Sequence, residues 1–144
     1  MTWWERADCR RPEYQPDLWF PATPTNAGPT SEHVQRQELR AKLICSSCPV
    51  RDQCLSEALA SGEKFGVWGG LTERERARLA CVGARLVPPE PVETGHPALR
   101  QLVEHFIQKG EPLSDAAGRL KLKPNQIRAQ VARLRRYVYR VEPA

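Results

Sequence analysis

The sequence predicts an all-α protein in two parts: a small helical domain gathered on a four-cysteine site, then a Pro-rich linker and a three-helix module of helix-turn-helix type. Three observations carry this expectation. Cys9 and the run Cys45-Ser-Ser-Cys48-Pro49-Val50-Arg51-Asp52-Gln53-Cys54 supply four thiols, three of them within about three helical turns. Wherever apolar spacing is clear, it is helical. Four prolines, Pro88, Pro89, Pro91 and Pro97, stiffen the stretch between the halves. The expected division is 1–85, linker 86–97 and module 98–144. Neither half can bury a large core, so the first needs a staple such as a metal.

Residues 1–30 are rich in proline and aromatics: Trp3, Trp4, Tyr14, Trp19, Phe20 and prolines 12, 16, 21, 24 and 29. Residues 3–9 suit one or two helical turns and 21–30 a loop. Ser31 can cap a helix over 32–46, with Val34, Leu39, Ala41, Leu43 and Ile44 as its apolar set. Pro49 interrupts it. Val50, Cys54, Leu55, Ala58 and Leu59 then form the stripe of a helix over 50–61, and Gly62 stops it. Gly66-Val67-Trp68-Gly69-Gly70 reads as a turn bearing a large aromatic. Thr72-Glu73-Arg74-Glu75 is a capping box, opening a helix to about residue 82. After the linker, Leu99, Leu102, Val103, Phe106 and Ile107 mark a helix ended by Gly110. Ser114 caps a short helix through Leu120. Pro124 starts a longer one over 124–138, with Ile127, Val131, Leu134 and Val138 inward.

The net charge of +5 is unevenly spread. Residues 1–70 carry −1 and residues 71–95 none, whereas 96–144 hold ten Lys/Arg against four Asp/Glu, a net of +6. A basic segment of this kind suits an anionic partner, nucleic acid first. No apolar run is long enough to span a membrane and the start does not read as a signal peptide, so a cytoplasmic protein is expected. In a reducing compartment, cysteines serve as metal ligands or redox groups more often than as disulfides. Soft thiolates select zinc, Cu(I) or iron–sulfur clusters. Zinc and a [4Fe–4S] cluster both accept four thiolates, and spacing alone leaves both open. Reduced buried cysteines and a redox dithiol are the remaining readings, the latter without the βαβ setting it normally occupies. Cys81, the fifth cysteine, reads as a helix-end thiol, and His33, His96 and His105 have no metal-type spacing.

Trp4-x2-Ala7-x-Cys9, Trp19-Phe20-Pro21, the Cys45 to Cys54 run continuing into Leu55, and Gly66-Val67-Trp68-Gly69-Gly70 together resemble the WhiB-like proteins of actinobacteria and their phages. The resemblance covers residues 3 to about 80. It implies a mainly helical fold wrapped on a [4Fe–4S] cluster sensitive to oxygen and nitric oxide, with Cys9, Cys45, Cys48 and Cys54 as ligands. It also implies a transcription regulator that binds region 4 of the primary sigma factor in RNA polymerase. Trp3 or Trp4, Trp19, Phe20 and Trp68 match family positions that cover the cluster and contact the sigma factor. One departure stands out: the family's usual Phe-Phe-Pro run has Trp19 at its first position here.

Many family members end in a short basic tail. This chain instead continues as Ala116-Ala117-x2-Leu120, a turn, and Pro124-x2-Ile127, which looks like a helix-turn-helix. Lys121 stands where such motifs commonly have glycine, and Lys123 where they have a Ser or Thr cap. Opposite the inner stripe lie Asn125, Gln126, Ala129, Arg133 and Arg136, residue types of which Asn, Gln and Arg read base edges. Arg128 and Arg135 flank that face and suit phosphates. The expected function is an iron–sulfur transcription regulator that binds sigma factor and DNA. The alternatives are a disulfide reductase acting through Cys45 and Cys48 without the cluster, and a structural zinc DNA-binding protein. No paired carboxylates, nucleophile–base arrangement or phosphate loop points to another enzyme.

Overall fold

A computed structural model describes residues 2–21, 32–91, 115, 118, 121 and 123–143 of the chain. The chain forms two compact units: Met1–Pro88 together with Val138–Ala144, and Pro89–Tyr137.

The first unit begins with three short 3-10 turns, Trp3–Arg6, Asp8–Arg10 and Pro16–Trp19. The two-turn expectation for residues 3–9 matches the first pair. Helix α1 is Glu32–Ser46 and α2 is Arg51–Ser61. Ser46 Oγ donates to the Leu43 carbonyl at 2.6 Å where α1 ends. Gly62 takes the left-handed conformation (φ 66°) that closes α2, and the Glu63 N–H returns to the Ala58 carbonyl at 2.9 Å. Helix α3, Glu73–Leu79, starts on its capping box: Glu75 N–H donates to Thr72 Oγ1 at 3.3 Å, and Thr72 N–H to Glu75 Oε1 at 3.0 Å. It stops at Leu79, short of the expected 82, because the Cys81 N–H turns back to Arg78 and Gly83 (φ 82°) reverses the chain.

Helix α1 contributes more to the core than any other element, burying Val34, Leu39, Ala41, Leu43, Ile44 and Cys45. A second cluster joins Leu55 of α2, Leu71 and Val141, with Leu79, Ala84, Leu86 and Tyr139 around it. Leu71 is wholly buried and stabilises the unit by roughly 1.5–3 kcal/mol.

The expectation of an all-α chain needs correction here. Strands β1, Arg85–Val87, and β2, Arg140–Glu142, pair antiparallel, with Leu86 opposite Val141. The fold is mainly helical with a small sheet. Alternation explains the second strand: Val141 is buried in the Leu55–Leu71 cluster, while Arg140 and Glu142 stay partly exposed. Arg85 Nε donates to Glu142 Oε2 at 3.1 Å across the pair.

In the second unit, α4 spans Pro124–Leu134, with Pro124 in its first turn, and continues as a 3-10 turn over Arg135–Tyr137. It ends before the expected residue 138, which belongs to the first unit. The helix expected before Gly110 lies outside the described residues, as does most of the one expected over 114–120, of which Asp115 and Gly118 are helical. Among the described residues no helix is long and apolar enough to cross a membrane.

Candidate metal centre

The chain route explains how four thiols meet. Cys45 sits in the last turn of α1, Cys48 in the link forced by Pro49, Cys54 in the first turns of α2, and Cys9 on the second 3-10 turn. All are free thiols, Cys45 buried, Cys48 and Cys54 partly so, and Cys9 exposed. They act on one another. Burial pushes the Cys54 thiol up, and Cys9 and Cys48 push it further. The Cys9 thiol rises through crowding around its sulfur and through Cys48. Burial drives Cys45 up to about 12, against hydrogen bonds that favour its thiolate. Among the described residues no three Cys, His, Asp or Glu side chains converge on a single-ion site. The thiols are electrostatic neighbours, Cys54 with Cys9 and Cys48, and Cys45 with Cys54 and Cys48.

Nitrogen donors surround these sulfurs. The Trp19 indole N–H donates to Cys45 Sγ at 3.3 Å and the Asp8 N–H to Cys48 Sγ at 3.5 Å. The backbone N–H groups of Gly70 and Gly69 serve Cys45 and Cys54, holding both thiols down against burial. Two consecutive donors reach two sulfurs because Gly69 and Gly70 are the central pair of a tight reversal, both at positive φ (58° and 81°), closed by mutual bonds between Trp68 and Leu71 at 3.0 and 3.1 Å. Four thiols ringed by N–H donors are a chemical fit for a thiolate-held iron–sulfur centre.

The turn is fastened from beneath. Buried Arg76 donates to the carbonyls of Gly66 at 2.7 Å and Leu71 at 2.8 Å, and Glu73 Oε1 accepts the Gly66 N–H at 3.0 Å. Arg51 reaches the Gly69 carbonyl at 3.4 Å and lies over the Tyr139 ring, 3.7 Å from its centroid. A Cβ on Gly69 would meet Leu55 Cβ at 2.5 Å and its backbone at 2.8 Å. Gly69→Ala thus combines left-handed strain with a backbone collision. We expect it to destabilise the first unit by about 2–3 kcal/mol, read as a lowered urea midpoint. A midpoint equal to wild type would show that the turn is free to shift.

A cavity of about 610 Å³ opens beside Cys9 and Cys54. Trp3, Trp4, Trp19, Phe20 and Trp68 all line it. Trp4 (46% exposed) and Phe20 (52%) face solvent, Trp3 and Trp68 are half-buried, and Trp19 (5%) is internal. The expected aromatic set thus splits: four members are accessible to a partner, and Trp19 turns inward. Gly66 brings the turn against this segment, since a Cβ there would stand 2.6 Å from the Phe20 ring. Phe65, 70% exposed just before the turn, adds an aromatic that sequence reasoning passed over. Its signal was only its place beside the glycine turn.

In the second unit, Lys121, Lys123, Asn125, Gln126, Arg133, Arg135 and Arg136 are all exposed; the Arg128 side chain lies outside the described residues. Lys121 adopts φ 54°, the conformation that favours glycine, at the position where motifs of this type commonly have one. The helix start is satisfied from within. Gln126 Oε1 accepts the Lys123 N–H at 2.8 Å and Asn125 Oδ1 the Gln126 N–H at 2.9 Å. Both side chains are thus engaged by backbone.

A mainly helical domain with four cysteines, a glycine turn whose N–H groups serve two of them, and an aromatic cavity reached by Cys9 and Cys54 defines the class. Residues 3–79 match the family model described as "Whib: Transcription factor WhiB". The chain belongs to the WhiB family. Among its relatives, the transcriptional regulator WhiB1 of Mycobacterium tuberculosis is 42% identical over 85 residues, 59% of this chain and 92% of that protein. The transcriptional regulator WhiB of Streptomyces coelicolor is 46% identical over 79 residues, 55% of this chain and 76% of that one. The redox-responsive transcriptional regulator WhiB3 of Mycolicibacterium smegmatis is 56% identical over 50 residues, 35% of this chain and 52% of that one. Residues 80–144 lie beyond the family match.

Proposed function

We propose that this chain is an iron–sulfur transcription regulator responsive to redox state or nitric oxide, which docks on region 4 of the primary sigma factor and contacts DNA through residues 96–144. The observation that carries this reading is the juxtaposition of four mutually interacting thiols with a cavity rimmed by accessible aromatics. In this reading Cys9, Cys45, Cys48 and Cys54 hold a [4Fe–4S] cluster. When bound, it supplies one-electron chemistry and reactivity toward oxygen and nitric oxide.

The protein's own residues do the rest. Cys9 ties the N-terminal aromatic segment to α1 and α2. The Gly69–Gly70 turn and Trp19 direct N–H groups at ligand sulfurs. Trp3, Trp4, Phe20 and Trp68 offer rigid, amphipathic anchors for a partner. Loss of Cys9 as a ligand frees the segment that carries three of those aromatics, so cluster state sets the shape of the docking face. The +6 charge of residues 96–144 and the exposed Lys121, Lys123, Arg133, Arg135 and Arg136 support a DNA-facing role for the second module.

The test begins with anaerobic purification and analysis of iron, sulfide and zinc, then binding to isolated sigma region 4. Expected are about four irons and four sulfides per chain and an affinity that falls about thirtyfold in Trp68→Ala, the effect of losing one interface anchor. A colourless protein with about one zinc overturns the cluster. Equal sigma affinity with and without the cluster overturns the coupling.

A further inference from the structure

One buried side-chain hydrogen bond ends on a cysteine sulfur, that of the Trp19 indole N–H to Cys45. We infer that the Trp19 indole N–H tunes the centre held by Cys45, making Trp19 a positioning and potential-setting residue. This role rests on the cluster reading of the four thiols.

Trp19 is 5% exposed and Cys45 8%, so both ends of the contact are buried. That group is a donor only, and Nε1 lies 3.3 Å from Cys45 Sγ. A neutral thiol is a weak acceptor, whereas a metal-bound thiolate is a strong one, so the contact is matched to a charged sulfur. The ring is fixed at both sides. Tyr14 packs edge-on to it at 5.9 Å between centroids, and the Trp19 carbonyl accepts the Val67 N–H at 2.7 Å. The other N–H groups at the sulfurs come from the backbone of Asp8, Cys9, Gly69 and Gly70, and side-chain substitution cannot delete them. Trp19 is the side-chain donor among the described residues, and phenylalanine at this position would keep an aromatic ring and remove the donor.

Hydrogen bonds to ligand sulfur draw charge from the thiolate and favour the more negative oxidation state, raising the potential. The redox event is one electron added, with dithionite as donor, and no bond is made or broken.

The experiment compares the full-length, cluster-loaded chain with Trp19→Phe, and with a version carrying the benzothiophene analogue of tryptophan at position 19. That analogue has the indole's shape without its N–H, so a packing defect cannot mimic the result. Spectroelectrochemical titration is expected to show a more negative midpoint for both. At a fixed poise, the reduced-to-oxidised ratio falls by about tenfold, the order of one charge-assisted hydrogen bond. Resonance Raman is expected to show altered Fe–S(Cys) stretching in the same two proteins. Cys81→Ser, at an exposed thiol beyond α3 with no part in the site, leaves the midpoint unchanged. If the isostere titrates with wild type while iron and sulfide are full, the role of the indole N–H is overturned. If wild type itself holds no iron, the cluster reading fails first, and the two failures are told apart by the metal analysis.

Discussion

If the four thiols hold the proposed [4Fe–4S] cluster, replacing Cys45 with serine is expected to empty the site: iron falls from about four atoms per chain to less than one, and the first unit loses much of its helical signal. Cys45 is the most buried of the four thiols, and its sulfur is met by the Trp19 indole and the Gly70 N–H. Serine offers a harder oxygen that soft iron–sulfur centres disfavour. It also leaves two N–H groups aimed at an atom that cannot take the same charge. The structural consequence follows from the size of the unit. Its N-terminal segment has only short 3-10 turns, and none of these turns exceeds four residues. That segment is joined to the rest of the unit by the Asp8 and Trp19 N–H groups on the Cys48 and Cys45 sulfurs, by Gln37 on the Asp17 carbonyl at 3.0 Å, and by burial of Leu18 and Trp19. For a small domain, binding of a metal centre is folding free energy. Iron and sulfide assays with far-UV circular dichroism, performed anaerobically, check the result. Cys81→Ser serves as control, since Cys81 is exposed beyond α3. Full iron content in Cys45→Ser would remove Cys45 from the ligand set.

What could be read in the sequence, and what could not, divides along physical lines. The boundaries of α1 and α2 and the start of α3 are written in local chemistry: Pro49, Gly62 and the Thr72–Glu75 box each act within a few residues of themselves. The strand pair is not, because three-residue strands carry too little periodicity to stand out and their partners are joined across the whole second unit. The alternation of Tyr139, Arg140, Val141 and Glu142 was the one available sign. The site shows the same split. Four thiols and a glycine turn are visible as motifs. Arg76 and Arg51, which hold that turn by its carbonyls, look like ordinary helix-surface cations until their burial is known. An aromatic beside a cysteine cluster reads equally as anchor or core. Burial alone separates Trp19 from Phe20, its immediate neighbour.

Lys42 and Glu75 were likewise illegible, and their separation is expected to have the second large effect. Lys42 Nζ contacts both Glu75 oxygens, at 2.7 and 2.8 Å, and both side chains are about 10% exposed. Lys42 precedes Cys45 by three residues on α1, while Glu75 sits in the first turn of α3, just after the glycine turn. The pair therefore spans the two elements that bring Cys45 and Gly70 together. Lys42→Met keeps the aliphatic stem but leaves the Glu75 carboxylate buried with the Thr72 N–H as its remaining partner. Breaking one side of a buried pair typically costs about 3–5 kcal/mol, much of it the penalty on the stranded charge. The dipole of α3 offsets only part of it, since a seven-residue helix is short and its capping box is already in use. The double variant Lys42→Met with Glu75→Gln removes that charge and keeps an oxygen for the Thr72 N–H. It is expected to recover about half of the loss, and urea unfolding of the four proteins closes the cycle. A single-variant cost below about 1 kcal/mol would mean that water reaches Glu75 as it would an exposed pair. A large cost with no recovery in the double variant would place the energy in the packing of the Lys42 stem instead of its charge.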